Sequence, residues 1–148
     1  MGLMRSMAAA ASGLNAQRIR MDTISGNVAN MESTRTPGSS GPYLRHVVRF
    51  ASADSALPFA GVVEKFSGGS SSGVVLTQVG LDTTNPPRRQ YEPAHPDADA
   101  EGYVERPNID LVSEMTDLTS ANRSYQANAT VLNAVKQMAL RALDIGSR

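Results

Sequence analysis

The chain has no cysteine. Disulfides, thiol catalysis and cysteine-ligated zinc are therefore excluded, although the compartment stays open. Tryptophan is absent as well, and aromatics make up only 5% of the 148 residues. Together with a hydrophobic content of 41%, that shortage argues against a large compact core and for helices packed with Ala, Leu and Met. Net charge is missing too. Fourteen basic residues balance fourteen acidic ones, so nothing draws the chain to nucleic acid or inserts it into a membrane. No apolar run approaches the roughly 20 residues that span a bilayer. Met7 to Ala11 is the longest apolar stretch before Ser12 and Gly13, too short for the apolar region of a secretory signal peptide. Export, where it occurs, is expected to use no cleavable signal.

What the chain does have is concentrated at its two ends. Leu3, Met7, Ala10, Leu14, Gln17, Met21, Ile24 and Val28 recur at alternating steps of four and three. That is a narrow heptad stripe on a helix running from Leu3 to Asn30, about 42 Å long at 1.5 Å per residue. Ser6 to Gln17 and Thr23 to Met31 carry no charge, so the outer face is Ser, Asn, Gln, Thr and Ala. Small and amide side chains, Asn27 and Asn30 among them, suit a face that another protein covers. Gly13 and Gly26 interrupt the pattern, either to let another backbone approach closely or as local breaks.

The second helix is expected from Asn108, as N-cap, to about Ile145, with Gly146 as its stop. Asp110, Glu114 and Asp117 favour its positive end. Leu111, Met115, Leu118, Asn122, Tyr125, Ala129, Leu132, Lys136, Ala139 and Leu143 repeat the stripe, and Val131, Val135, Met138, Ala142 and Ile145 widen it. A wide band needs more than one neighbour. Asn122 and Lys136 either set register within the stripe or lie at its edge.

Between the helices the reading is less regular. Glu32 to Gly41 is a turn-rich stretch containing Pro37 and Gly38. Strands are expected at Tyr43–Ala51, Gly61–Phe66, Gly73–Leu81 and Arg88–Tyr91, with Ser67–Gly73 as a flexible tip. Glu92 to Arg106 reads as an irregular acidic arm. The organisation is a helix over residues 1–32, a linker over 33–42, a small β module over 43–92, the arm over 93–107 and a helix over 108–146. The fold class is mainly α, with an antiparallel, coiled-coil-like pair of terminal helices bracketing a β-rich middle.

Chemistry is sparse. His46 and His95 lack a third ligand at metal spacing, so solvated or core roles are preferred. Asp97, Asp99, Glu101 and Gly102 match positions one, three, five and six of a calcium loop, but position twelve is Asn108 and Pro93 and Pro96 block the preceding helix. The arm, with His95, Asp97, Asp99, Glu101 and Tyr103, reads either as an inter-subunit contact or as a solvated loop. No serine elbow or phosphate loop occurs. No catalytic residue, cofactor or metal is expected. Three readings follow: a subunit of a helical assembly, a soluble adaptor or chaperone dimerising through its ends, or a small calcium or hydrolytic enzyme built on the arm. The interface residues expected are Leu3, Met7, Leu14, Gln17, Met21, Ile24, Asn27, Val28 and Asn30, with Met115, Leu118, Asn122, Tyr125, Leu132, Val135 and Leu143. In the first reading, Leu14→Asp or Leu132→Asp abolishes assembly.

Two stretches resemble a known family. Ser12-Gly13-Leu14-Asn15-Ala16-Gln17-Arg18 through Ser25-Gly26-Asn27-Val28-Ala29-Asn30 is similar to the N-terminal signature of bacterial flagellar axial proteins. Glu114-Met115 and Tyr125-Gln126-Ala127-Asn128 resemble its C-terminal counterpart. Thr34-Arg35-Thr36, the run from His95 to Val104, and Pro107-Asn108-Ile109-Asp110 narrow the resemblance to the proximal rod proteins over nearly the whole chain. Gly26 departs from the family's usual Asn or Ser, and Ser67–Gly73 resembles a loop insertion. The resemblance implies a periplasmic rod subunit that carries torque from motor to hook and leaves by the flagellar type III export apparatus. It also implies the partners: its own copies, other rod proteins and the export-gate adaptor.

Overall fold

The computed structural model describes residues 2–36, 38, 41–53 and 73–146. The strand expected at Gly61–Phe66 and all of the expected tip but Gly73 lie outside these residues. Among them run a helix α1 (Gly2–Ala29), strands β1 (His46–Ser52), β2 (Val74–Leu81), β3 (Arg88–Tyr91) and β4 (Tyr103–Arg106), and a helix α2 (Leu111–Gly146).

Helix α1 has 28 residues and no acidic residue in its first turn. Its end is closed by Asn30, whose Nδ2 donates to the Gly26 carbonyl at 2.9 Å. Helix α2 has 36 residues, about 54 Å. Its N-cap is Asp110 rather than the expected Asn108. The Asp110 carboxylate accepts the Ser113 N–H at 3.2 Å, and its carbonyl accepts the Glu114 N–H at 3.0 Å. Asn108 instead accepts from Arg88 Nε at 3.0 Å. That bond offsets an awkward pairing, because Arg88 stands opposite Arg106 in the β3–β4 ladder.

The helices lie side by side and antiparallel. Gly13 faces Asn128, and Asn27 donates to Glu114. These two contacts are fourteen residues apart on each helix, so the register holds over two heptads. Gly13 lets the helices approach closely there, since a Cβ would stand 2.8 Å from Asn128 Nδ2 and the Asn128 side chain would have to shift to admit it. Gly26 has no such role, its nearest outside atom being the Tyr43 hydroxyl at 4.0 Å.

The strands form two separate antiparallel pairs, β1 with β2 and β3 with β4. The first hairpin runs along α1. It is fixed near one end by Asn27, which bonds the backbone of His46, and near the other by Ser12, whose hydroxyl accepts the Val74 N–H at 3.0 Å. Midway, the Arg20 guanidinium stands over the Phe50 ring at 5.2 Å. A bulge after Arg49 leaves Thr77 as the extra residue on β2. The second pair corrects the sequence reading of the arm. Its last four residues are a strand, and Gly102, at φ +84°, makes the tight return that packs against Tyr91 and Pro93.

Candidate assembly surfaces

The inner seam between the helices is made mostly of small and polar residues. Ala10, Ala16, Ile24 and Asn27 are buried on α1, and Glu114, Ala121 and Val135 on α2. One line of each expected stripe survives, Ala10–Gln17–Ile24 on α1 and Leu118–Tyr125–Leu132 on α2. The other line is displaced by one residue. Gly13 and Asn27 stand in place of Leu14 and Val28, and Glu114, Ala121 and Asn128 in place of Met115, Asn122 and Ala129. Leu14, Met21, Val28, Asn30 and Met7 are only half-buried at the flank.

The seam is locked at one end. Asn27 and Glu114 are each only 1% exposed. The Asn27 amide donates to the His46 carbonyl at 2.9 Å and to Glu114 Oε2 at 3.3 Å. Its oxygen accepts the His46 N–H at 2.9 Å and the Tyr43 hydroxyl at 3.2 Å. Arg45 closes on Glu114 Oε1 through Nε at 2.7 Å and a terminal nitrogen at 2.6 Å. All four bonding positions of the amide are thereby filled, as burial demands. Burial, then the negative charge of Glu114, push the Tyr43 phenol above its ordinary range.

The outward faces have the opposite character. Leu3, Met4, Leu111, Val112, Met115, Val131, Met138, Leu140 and Leu143 are exposed. Asn122 is exposed and bonded to Gln126 on its own helix at 3.2 Å, and Lys136 is exposed. Thr116 and Thr119 turn their hydroxyls onto the carbonyls of Val112 and Met115 at 2.8 and 2.9 Å. Covering these threonines leaves no donor unsatisfied, so the face can be buried at little cost. On β2, Val74, Val75, Leu76, Val79 and Leu81 are also exposed, along an edge with one strand partner among the described residues.

The acidic arm is tied to its own chain. Asp97 accepts from Thr34 at 2.7 Å and pairs with Arg35 at 2.5 Å. Asp99 takes the N–H groups of Glu101 and Tyr103 at 2.9 and 2.8 Å and pairs with Arg89 at 2.7 Å. The Tyr103 N–H chiefly, against an opposing desolvation and with the help of Arg89 and the Glu101 N–H, holds the Asp99 carboxyl below its usual range. Arg106 bridges Glu92 and Glu32. His95 Nδ1 accepts the Asp97 N–H at 3.1 Å. Donors of the chain itself, the Thr34 hydroxyl and Arg35 on Asp97 and two backbone N–H groups and Arg89 on Asp99, therefore occupy two of the carboxylates that a calcium loop would use. Among the described residues, no group of three His, Cys, Asp or Glu could hold a metal ion, and no helix is long and apolar enough to cross a membrane.

Sequence reasoning missed the Asn27–Glu114–Arg45 lock and the buried Val104 and Ile109 beside the arm. The Ala10, Gly13, Ala16 spacing was the available signal for a close helix contact.

Comparison with known proteins gives the same ends of the chain. The family described as Flagella basal body rod protein matches residues 7–35, and the one described as Flagellar basal body rod FlgEFG protein C-terminal matches residues 100–145. The chain is 42% identical to the flagellar basal-body rod protein FlgC of Borreliella burgdorferi, over 98% of both chains. Identity is 42% to that of Bacillus subtilis, over 95% of this chain and 96% of the relative. It is 38% to that of Salmonella typhimurium, over 99% of both. At that identity and coverage, the chain belongs to the FlgC family of flagellar basal-body rod proteins.

Proposed function

We propose that this structural subunit of the flagellar basal-body rod assembles through the outward faces of α1 and α2. It packs there against its own copies and other rod proteins, and the closed helix pair transmits torque from motor to hook. The role is mechanical, with no catalytic residue and no cofactor. The subunit reaches the periplasmic rod through the type III export apparatus without a cleavable signal, and it meets the export-gate adaptor at the rod base. Of the residues expected at the interface, Leu3, Met115 and Leu143 face outward, Met7, Leu14, Met21 and Val28 are half-buried at the flank, and Leu118, Tyr125 and Leu132 are half-buried along the seam.

One observation carries this reading. The two longest elements bury mostly small and polar residues against each other, with Ile24 and Val135 among them, and leave Leu3, Met4, Leu111, Val112, Met115, Val131, Met138, Leu140 and Leu143 exposed. An isolated molecule gains nothing from that arrangement, whereas a subunit covered by neighbours recovers the transfer free energy of each apolar side chain.

The experiment is a Val131→Asp, Met138→Asp variant. Dilute protein keeps its helical circular dichroism and Tm, concentrated protein no longer sediments as assemblies, and cells carrying it lose motility. Assemblies of normal size, or normal motility, would contradict the proposal. Light scattering that shows a closed dimer and nothing larger would favour an adaptor instead.

A further inference from the structure

Six of the seven methionines lie within the described residues, and they divide by exposure. Met4, Met115 and Met138 are 77%, 51% and 55% exposed, whereas Met7, Met21 and Met31 are half-buried. All three exposed thioethers stand on the helix pair. Continuing the register of the Gly13–Asn128 and Asn27–Glu114 contacts puts Met4 at the level of Gln137, so Met4 and Met138 share one end of the pair. Met115 lies towards the other end, one turn after the exposed Leu111 and Val112. The outward apolar surface therefore carries sulfur at both ends.

A thioether at such a place is not equivalent to a leucine. It packs as a flexible apolar side chain, yet its sulfur lone pair is open to oxidation. The chain has no cysteine, so no thiol of its own competes for a mild oxidant. The product sulfoxide is polar and chiral, and burying its oxygen without a donor is costly. Beside Met115 the Thr116 and Thr119 hydroxyls already donate to the carbonyls of Val112 and Met115, so neither is free to serve that oxygen.

We propose that Met4, Met115 and Met138 are modification sites at which hydrogen peroxide blocks assembly of the free subunit. This rests on the assembly reading above. Each sulfur attacks one peroxide oxygen. The S–O bond forms as the O–O bond breaks, the sulfur gives up two electrons, and the peroxide is reduced to water. The lone subunit keeps its fold, because the three side chains are at its surface. In the assembled particle neighbours cover the same sulfurs and spare them.

The test treats dilute protein with hydrogen peroxide, removes the oxidant and then concentrates the protein. Peptide mass spectrometry should find Met4, Met115 and Met138 oxidised about fivefold faster than Met7, Met21 and Met31, and about fivefold slower once the protein is assembled beforehand. The oxidised protein keeps its Tm but needs about tenfold higher concentration to sediment as assemblies. Methionine sulfoxide reductases of both stereospecificities reverse that increase. A Met4→Leu, Met115→Leu, Met138→Leu protein, compared only with its own untreated sample, loses the response. Oxidised parent that sediments at the untreated concentration would overturn the proposal and leave the assembly reading standing. An equal response in the triple variant would do the same, since it would assign the effect to the half-buried methionines. Untreated protein that forms no assemblies would overturn both.

Discussion

The seam inside the helix pair and the faces outside it invert the usual distribution of side chains. Inside stand Ala10, Gly13, Ala16, Ala121, Asn27 and Glu114 beside Ile24 and Val135; outside stand Met4, Val112, Met138 and Leu143. In a self-sufficient protein more of the bulky residues would be within. Here close approach of two backbones and a satisfied polar lock align the helices. The lock sets register, because sliding one helix along the other would strand a buried carboxylate and a buried amide. What the subunit presents to its surroundings is then a pair of rigid, aligned apolar faces.

The sharpest way to break this contrast is to attack the lock. Glu114→Ala removes the closest partner of Arg45, leaving Asp82 and Asp117 at 3.9 and 4.0 Å, and one acceptor of Asn27. The expected loss is about 3 kcal/mol, the scale for breaking a buried charged contact from one side, and thermal unfolding of dilute protein checks it. A Tm within a few degrees of the parent would mean that packing, and not the lock, aligns the helices.

Next in size is the close approach at Gly13. Alanine there gains about 1 kcal/mol of helix propensity but drives a methyl into Asn128, costing roughly 1–3 kcal/mol. Gly13→Ala is expected to destabilise, and to become stabilising when Asn128 is also alanine. A double-mutant cycle by urea denaturation reads this coupling. Additive effects would show that the helices separate easily at this point. The outward faces supply the control. Val131→Ser and Met138→Ser should change dilute-protein stability by no more than about 0.5 kcal/mol, as measured in the same urea titration, while weakening sedimentation of concentrated protein.

Much of this molecule is visible in its sequence, and the reason for the remainder is physical. The expected first helix, Leu3 to Asn30, and the observed Gly2–Ala29 differ by one residue at each end, and β3 falls where expected, at Arg88–Tyr91. Heptad spacing is a local signal and survives translation into structure. Which face turns inward is not local. A stripe is chosen by its largest apolar residues, and on helices with almost no charge both faces look apolar. Alanine and glycine weigh little in such a pattern, yet here they form the contact. Glu114 read as a helix-start acid because its partner Asn27 lies 87 residues away. Tyr103–Arg106 read as arm because prolines and carboxylates precede it, and its strand exists through pairing with β3.

The smallest expected effect contrasts the buried lock with the exposed arm. Asp99 is held by the Tyr103 and Glu101 N–H groups and by Arg89, all at the surface. Its folded-state pKa lies below the ordinary carboxylate value. The sign follows directly. Above the unfolded pKa of about 4, both states are ionised and the full contribution is present. As pH falls through the lower folded value the native carboxylate protonates as well, and the contribution is lost. Amide exchange at Glu101 and Tyr103, corrected for the intrinsic rate, should therefore quicken below about pH 4, and Asp99→Asn should remove that dependence. Because the Arg89–Asp99 pair is exposed, 1 M salt, with a Debye length near 3 Å, should loosen the same amides. Amides of α1 and α2 beside the Asn27–Glu114 contact should be much less sensitive to salt. Equal salt sensitivity in the two regions would show that the lock is wet, and the distinction between a sealed seam and a solvated arm would fail.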